Sequence, residues 1–196
     1  TMNDFDQLLS SIHQRGMKLI LDLVVNHTSD EHPWFIESKS SKTNAKRDWY
    51  IWADPKPDGS EPNNWESIFN GSTWEFDEST KQYYFHLFSK KQPDLNWENP
   101  DVRQAVFDMM NWWFEKGIDG FRVDAITHIK KNFEAGDLPV PDGKKFAPAF
   151  DVDMNQPGIQ EWLQEMKDKS LSRYDIMTVG EANGVTPNDA EEWVGE

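Results

Sequence analysis

Cysteine is missing altogether from the 196 residues. That excludes a disulfide framework and fits a reducing compartment, so a cytoplasmic location is expected. Long apolar runs are missing too. Nothing in the chain approaches the roughly 18 residues that span a bilayer, and no signal peptide is recognised at its start. Positive charge is scarce, with 20 basic against 35 acidic residues and a formal net charge of −15. This argues against nucleic acid or an anionic membrane as partner, whereas a neutral ligand would not be repelled. Internal repeats and low-complexity segments are absent, and the composition sets no oligomeric state. What is abundant is tryptophan, with ten residues. Such rings fill cores, and their faces also stack on sugars.

Periodicity divides the chain. Phe5, Leu8, Leu9 and Ile12 recur at helical spacing, and Arg15-Gly16 closes that helix. Met17 to Val25 is then a nearly continuous apolar run, as expected of a parallel strand buried on both faces. From Thr28 to about Glu98 the pattern breaks, with turns at Asp54 to Gly59 and Phe69 to Ser72. A structureless loop of that length does not suit a compact domain. An inserted subdomain is predicted instead, with short strands at Trp74 to Phe76 and Tyr83 to Leu87. Asn99-Pro100-Asp101 opens a second helix with Val102, Val106, Met109, Met110 and Trp113 on one face, ended by Gly117. A strand over Ile118 to Asp124, a helix through Ile159, Trp162, Leu163 and Met166, and a strand over Ile176 to Glu181 follow. Thr186-Pro187-Asn188-Asp189 opens a last helix.

Three strands with helices between them describe one side of a parallel α/β barrel, and each carries ionisable groups. The first has Asp22 and ends in Asn26-His27, the second has Arg122 and Asp124, and the third ends at Glu181. Barrel active sites form at the C-terminal ends of strands. Two carboxyls delivered there are the equipment for glycosidic bond cleavage. Arg122 and Asp124 share a strand face. The guanidinium favours an ionised Asp124, as a nucleophile attacking an anomeric carbon must be, though the same pair fits a structural ion pair inside a barrel. Glu181 is expected to be desolvated at its strand end, which would raise its pKa and suit a general acid. His27 has no companions at metal-ligand spacing, so neither a metal nor another cofactor is expected. His128, four residues past Asp124, either borders the same pocket or lies on the surface.

The runs Asp22-Leu23-Val24-Val25-Asn26-His27, Gly120-Phe121-Arg122-Val123-Asp124-Ala125 and Gly180-Glu181-Ala182-Asn183-Gly184 resemble the first three signature regions of the α-amylase family of glycoside hydrolases. Gln92-Pro93-Asp94-Leu95-Asn96 is similar to a motif of its oligo-1,6-glucosidase and α-glucosidase branch. The resemblance implies an internal part, about the third to fifth strands, of a TIM (β/α)8 barrel. Residues 1–27 would be a barrel segment, 28–98 the inserted subdomain B, and 99–196 a second barrel segment. It implies Asp124 as nucleophile, Glu181 as general acid/base and Arg122 as the group orienting the nucleophile. Asp22 and His27 would hold the terminal glucose, lined by Phe69, Phe88 and Gln92.

The expected activity is that of a retaining exo-α-glucosidase on short oligosaccharides. A sucrose isomerase, a trehalose-6-phosphate hydrolase and a non-catalytic binding relative are the alternatives, and the presence of both acids disfavours the last. Thr127-His128 stands where many α-amylases have Lys-His, which points away from endo action on long polymers. Ala125 leans towards α-1,4 or mixed linkage preference. The family's third carboxylate, in an Asn-His-Asp motif, does not occur in the sequence, so the chain reads as a portion of a longer enzyme.

Overall fold

In the computed structural model, which describes residues 1–194, helix α1 (Met2–Gln14) begins on a capping box. Thr1 and Asp4 satisfy each other's backbone N–H groups there. Leu9 is buried, and Phe5 meets Trp113 edge-on with centroids 5.1 Å apart. Strand β1 (Ile20–Val24) follows. The chain then forms α2 (Pro33–Ser40), β2 (Trp52–Ala53), β3 (Trp65–Glu66), β4 (Trp74–Asp77) and β5 (Gln82–Phe85). Helix α3 (Pro100–Lys116) is capped by the Asn99 side chain and ends at Gly117, whose φ of +100° is left-handed. Completing the order are β6 (Gly120–Asp124), β7 (Ala147–Pro148), α4 (Phe150–Asp153), α5 (Ile159–Lys169), β8 (Met177–Gly180) and α6 (Ala190–Val194). The expected second barrel segment extends to residues 195 and 196, which lie outside the described residues.

Strands β1, β6 and β8 form one parallel sheet in that order. Asp22 pairs with Arg122, and Arg122 with Val179. Gly120 makes the close approach of β6 and β8 possible. Its φ is +155°, and an added Cβ would fall 1.7 Å from the Met177 carbonyl oxygen. The glycine that opens the Asp124 strand is therefore there for the backbone of its neighbour. Asp119, just before β6, fastens the start of the sheet through the Leu19 N–H at 2.8 Å, Lys18 Nζ at 2.8 Å and His13 Nε2 at 2.7 Å. Burial opposes its ionisation, but these hydrogen bonds outweigh burial and hold its carboxyl at about 2.

Within these three strands β1 is covered on one face: Leu23 is buried, while Ile20, Asp22 and Val24 lie on the open face, which three strands of a barrel leave uncovered. Leu23 packs with Val106, Met110, Phe114 and Phe121 in the main core, together with Trp97, Trp162 and Met166. Burying each of the large side chains contributes roughly 1.5–3 kcal/mol.

A second core lies under the stretch between β1 and α3. It gathers Trp65, Trp74, Phe85 and Leu87 with Ala149 and Val152, which come from beyond β6. Strand β7 pairs in parallel with β3, and Phe133 stacks on Trp65 at 5.2 Å with planes 4° apart. The arm after β6 thus packs on the earlier stretch. The predicted strands here appear as β4 and β5, while α2 was not foreseen. Its Trp34, Phe35 and Ile36 are consecutive and show no helical period. Among the described residues no helix is long and apolar enough to cross a membrane.

Candidate active site

Arg122 stands at the centre of the open sheet face. Its Nη1 donates to Asp22 Oδ1 at 2.8 Å and to Asp124 Oδ1 at 2.5 Å, and its Nη2 pairs with Glu181 Oε2 at 2.8 Å. One guanidinium therefore gathers a carboxylate from each of three neighbouring strands. The ladder explains this, because Asp22 lies opposite Arg122 and the Glu181 N–H donates to the Val123 carbonyl at 2.9 Å. Hydrogen bonds from Arg122 to Asp22 and Asp124 raise its pKa, so it stays charged at every working pH. Glu181 also accepts from the Ala125 N–H at 3.2 Å. Ala125 itself is buried in a left-handed turn with φ +45°.

β8 is the last strand of the three-stranded sheet described here, and in it the Glu181 side chain is 40 % exposed with Arg122 as its charged partner.

Beside the acids, His27 is held by Gln92, whose Nε2 donates to His27 Nε2 at 2.9 Å. Burial lowers the His27 pKa; the fields of Asp94 and Asp124 oppose this without overcoming it. Phe88 packs on His27 at 5.2 Å, on Phe69 at 5.9 Å and on His128 at 5.9 Å. Phe69 is 60 % exposed and free to meet a ligand. The sequence-predicted residues thus fall into two adjoining groups. One is ionic, with Asp22, Arg122, Asp124 and Glu181 around Ala125. The other is an aromatic wall of Phe69, Phe88, His27 and His128, with Gln92 behind it. His128 is buried, with Nδ1 3.1 Å from the Asp153 carbonyl oxygen.

Sequence reasoning missed what fastens the wall to the sheet. Lys131 Nζ lies 2.6 Å from Asp94 Oδ2 and donates to Asn26 Oδ1 at 2.8 Å, and both charged side chains are almost wholly buried. Asn26 Nδ2 donates to the same Asp94 oxygen at 2.9 Å, and Asp94 Oδ1 accepts from the Leu87 N–H at 2.9 Å. The buried ammonium and carboxylate neutralise each other, and Asn26 and the Leu87 N–H complete their hydrogen bonds. Asp94 sits inside the run Gln92 to Asn96, but nothing near Lys131 in sequence marks it as a buried partner.

Among the described residues no group of three or more His, Cys, Asp or Glu could hold a metal ion. A cavity of about 550 Å³ lies away from the acids, between Tyr50, Trp52, Lys130 and Trp162. Its aromatic faces are already used: Arg47 covers Trp52 at 3.4 Å and Lys130 covers Trp162 at 4.0 Å.

The catalytic-domain model of the alpha-amylase family matches residues 1–196. Probable oligo-1,6-glucosidase 3 of Bacillus subtilis is 64% identical over 196 residues, which are 100% of this chain and 35% of that protein. Oligo-1,6-glucosidase of Parageobacillus thermoglucosidasius is 59% identical over 96% of this chain and 34% of its own length. The crystal structure of trehalose-6-phosphate hydrolase from Bacillus licheniformis superposes with a TM-score of 0.88 at 50% identity, covering 96% of this chain and 33% of that one. An isomaltulose synthase from Protaminobacter rubrum gives 0.88 at 44% identity, over 98% and 34%. The chain spans about a third of the length of the curated relatives it matches.

Proposed function

The chain belongs to the α-amylase family, as part of its TIM barrel, and from that premise we propose that the protein is a retaining exo-α-glucosidase. Its substrates are short oligosaccharides with a terminal α-1,6 or α-1,4 glucosidic bond. The observation that carries this reading is the convergence of Asp22, Asp124 and Glu181 on the single guanidinium of Arg122.

Asp124, oriented by Arg122, attacks the anomeric carbon and forms a glycosyl ester. Glu181 gives a proton to the departing oxygen, then takes one from the water that hydrolyses the ester. Retention follows from spacing. Acids on neighbouring strands, about 4.8 Å apart, meet the separation of about 5–5.5 Å that retaining enzymes need. Asp22 and His27 hold the terminal glucose, with Phe69, Phe88 and Gln92 as its lining and His128 at the border. Ala125 sits where the leaving sugar begins. Residues 28–98 act as a subdomain that walls the pocket, with 1–27 and 99–196 as barrel segments on either side.

The test is the full-length protein with isomaltose, maltose and nitrophenyl α-glucoside, following the first product by NMR. α-Glucose is expected. β-Glucose as first product sinks the retaining mechanism, and internal cleavage of soluble starch sinks exo action. The solved relatives favour a second reading, a sucrose isomerase or trehalose-6-phosphate hydrolase. Turnover of sucrose or trehalose 6-phosphate well above that of isomaltose and maltose would select it.

A further inference from the structure

Beyond the ends of β6 and β8 the ladder stops, and the two acids then depend on the turns that follow them. One residue outside both strands touches both turns. The Asn155 N–H donates to the Thr127 carbonyl at 2.9 Å, three residues after Asp124. Its side-chain Nδ2 donates to the Asn183 carbonyl at 3.0 Å, two residues after Glu181.

Asn155 adopts φ +52°, a left-handed conformation that asparagine tolerates better than most residues with a side chain. Its Oδ1 is buried without a partner among the described residues, so burial of the amide is not rewarded at both ends. The surroundings fix the residue firmly. A Cβ on Gly184, itself at φ +73°, would lie 2.6 Å from Met154 Cε and 2.9 Å from Asn155 Nδ2. On the other side, the Asp153 carbonyl lies 3.1 Å from His128 Nδ1, which ties the same segment to the aromatic wall.

We propose that Asn155 is a positioning residue that sets the placement of Glu181 relative to Asp124 by tethering the turn behind each. The proposal rests on the glucosidase reading. The tether to the turn after Asp124 is made by the Asn155 main-chain N–H and survives a change of side chain, whereas the tether to the turn after Glu181 is made by the side-chain amide. Loss of the tether therefore falls mainly on proton transfer by Glu181.

That asymmetry gives a test a merely structural role would not pass. A nitrophenolate leaves with little help from an acid, while the sugar alcohol released from isomaltose needs the Glu181 proton. Asn155→Gly keeps the left-handed backbone and removes the amide. Asn155→Asp keeps the size but turns an acceptor towards the Asn183 carbonyl. In the full-length protein both variants should lose about tenfold or more in kcat/KM on isomaltose, yet less than about threefold on nitrophenyl α-glucoside. The ratio of the two substrates cancels any loss of folded enzyme. Equal losses on both substrates, or no loss in either variant, overturn the tether while leaving the glucosidase reading intact. A wild-type protein that cleaves neither substrate overturns the glucosidase reading, and the tether with it.

Discussion

In the sheet of β1, β6 and β8, strands of four or five residues run in parallel register and place their side chains by alternation. Between β1 and α3 no strand exceeds four residues, and two have only two. Order there comes from aromatic rings meeting edge to face, such as Trp74 with Phe85 at 5.1 Å and Phe35 with Tyr84 at 5.1 Å. It also comes from buried charges, with Lys131 on Asp94 and Arg47 bonded to Gln82 and Thr80. The sheet sets where the acids lie, while the second region shapes what surrounds them. A ladder is rebuilt at every residue, so it tolerates local change. A wall hung from a few buried polar links fails when one link goes.

The largest expected effect strikes the sheet's chemistry and spares its fold. Asp124→Asn in the full-length protein removes the carboxylate proposed to form the glycosyl ester, and kcat/KM should fall about a thousandfold or more. Thermal unfolding should shift little, since the amide can still accept from Arg122. More than about one per cent residual activity removes Asp124 from the nucleophile role.

Next comes a break in the second region. Lys131→Met strands Asp94 as an unpaired buried carboxylate, which should destabilise the protein by about 3–5 kcal/mol. Adding Asp94→Leu, which removes the stranded charge, should recover part of that loss. Chemical denaturation measures both, and a single-variant change below about 1 kcal/mol would mean the pair does not hold the wall.

Smaller still is the effect of Ala125→Val on linkage choice. A methyl-scale change at the position proposed to meet the leaving sugar is worth about 1–3 kcal/mol, or roughly 10–200-fold, in the isomaltose to maltose ratio of kcat/KM. Because Ala125 is left-handed at φ +45°, a β-branched residue also strains the turn. Ala125→Gly, which relieves the conformation and adds no bulk, separates strain from crowding. A ratio within twofold of wild type for valine shows that Ala125 does not read the linkage.

The two regions differ as much in how far sequence discloses them. Apolar runs and caps placed α1, α3, α5 and the three sheet strands, because their residues answer to neighbours three, four or two positions away. Arg122 and Asp124 were legible for the same reason, being two apart on one strand. The tie of Arg122 to Glu181 was not, because it depends on the register of β8 against β6. The Lys131–Asp94 link was hidden in the same way, whereas helix α2 was hidden because its apolar residues are consecutive. Lys131 and Asp94 are 37 positions apart, and only the folded arm brings them together.

Acidification should separate the regions by the smallest and most selective effect. Burial holds the pKa values of His27 and His86 below the ordinary 6.5, and both residues belong to the aromatic side of the molecule. The unfolded chain then binds protons more readily than the folded one. Their contribution is complete above about 6.5 and is lost as pH falls towards their folded values. Asp119 fastens the sheet with a folded pKa of about 2 against an ordinary 3.8. Its contribution is complete above about 3.8 and is lost only as pH falls through about 2. Six of the ten tryptophans lie between Thr28 and Glu98, so tryptophan fluorescence weights that region. A pH titration of the full-length protein should therefore show a fluorescence change beginning below about 6.5, while far-UV circular dichroism holds until below about 4. The His86→Gln variant, neutral at every pH, should shrink the early change. Coincident transitions in the two signals, or fluorescence that stays flat down to pH 4, would show that the two regions unfold as one and that the buried histidines do not set the acid limit of the wall.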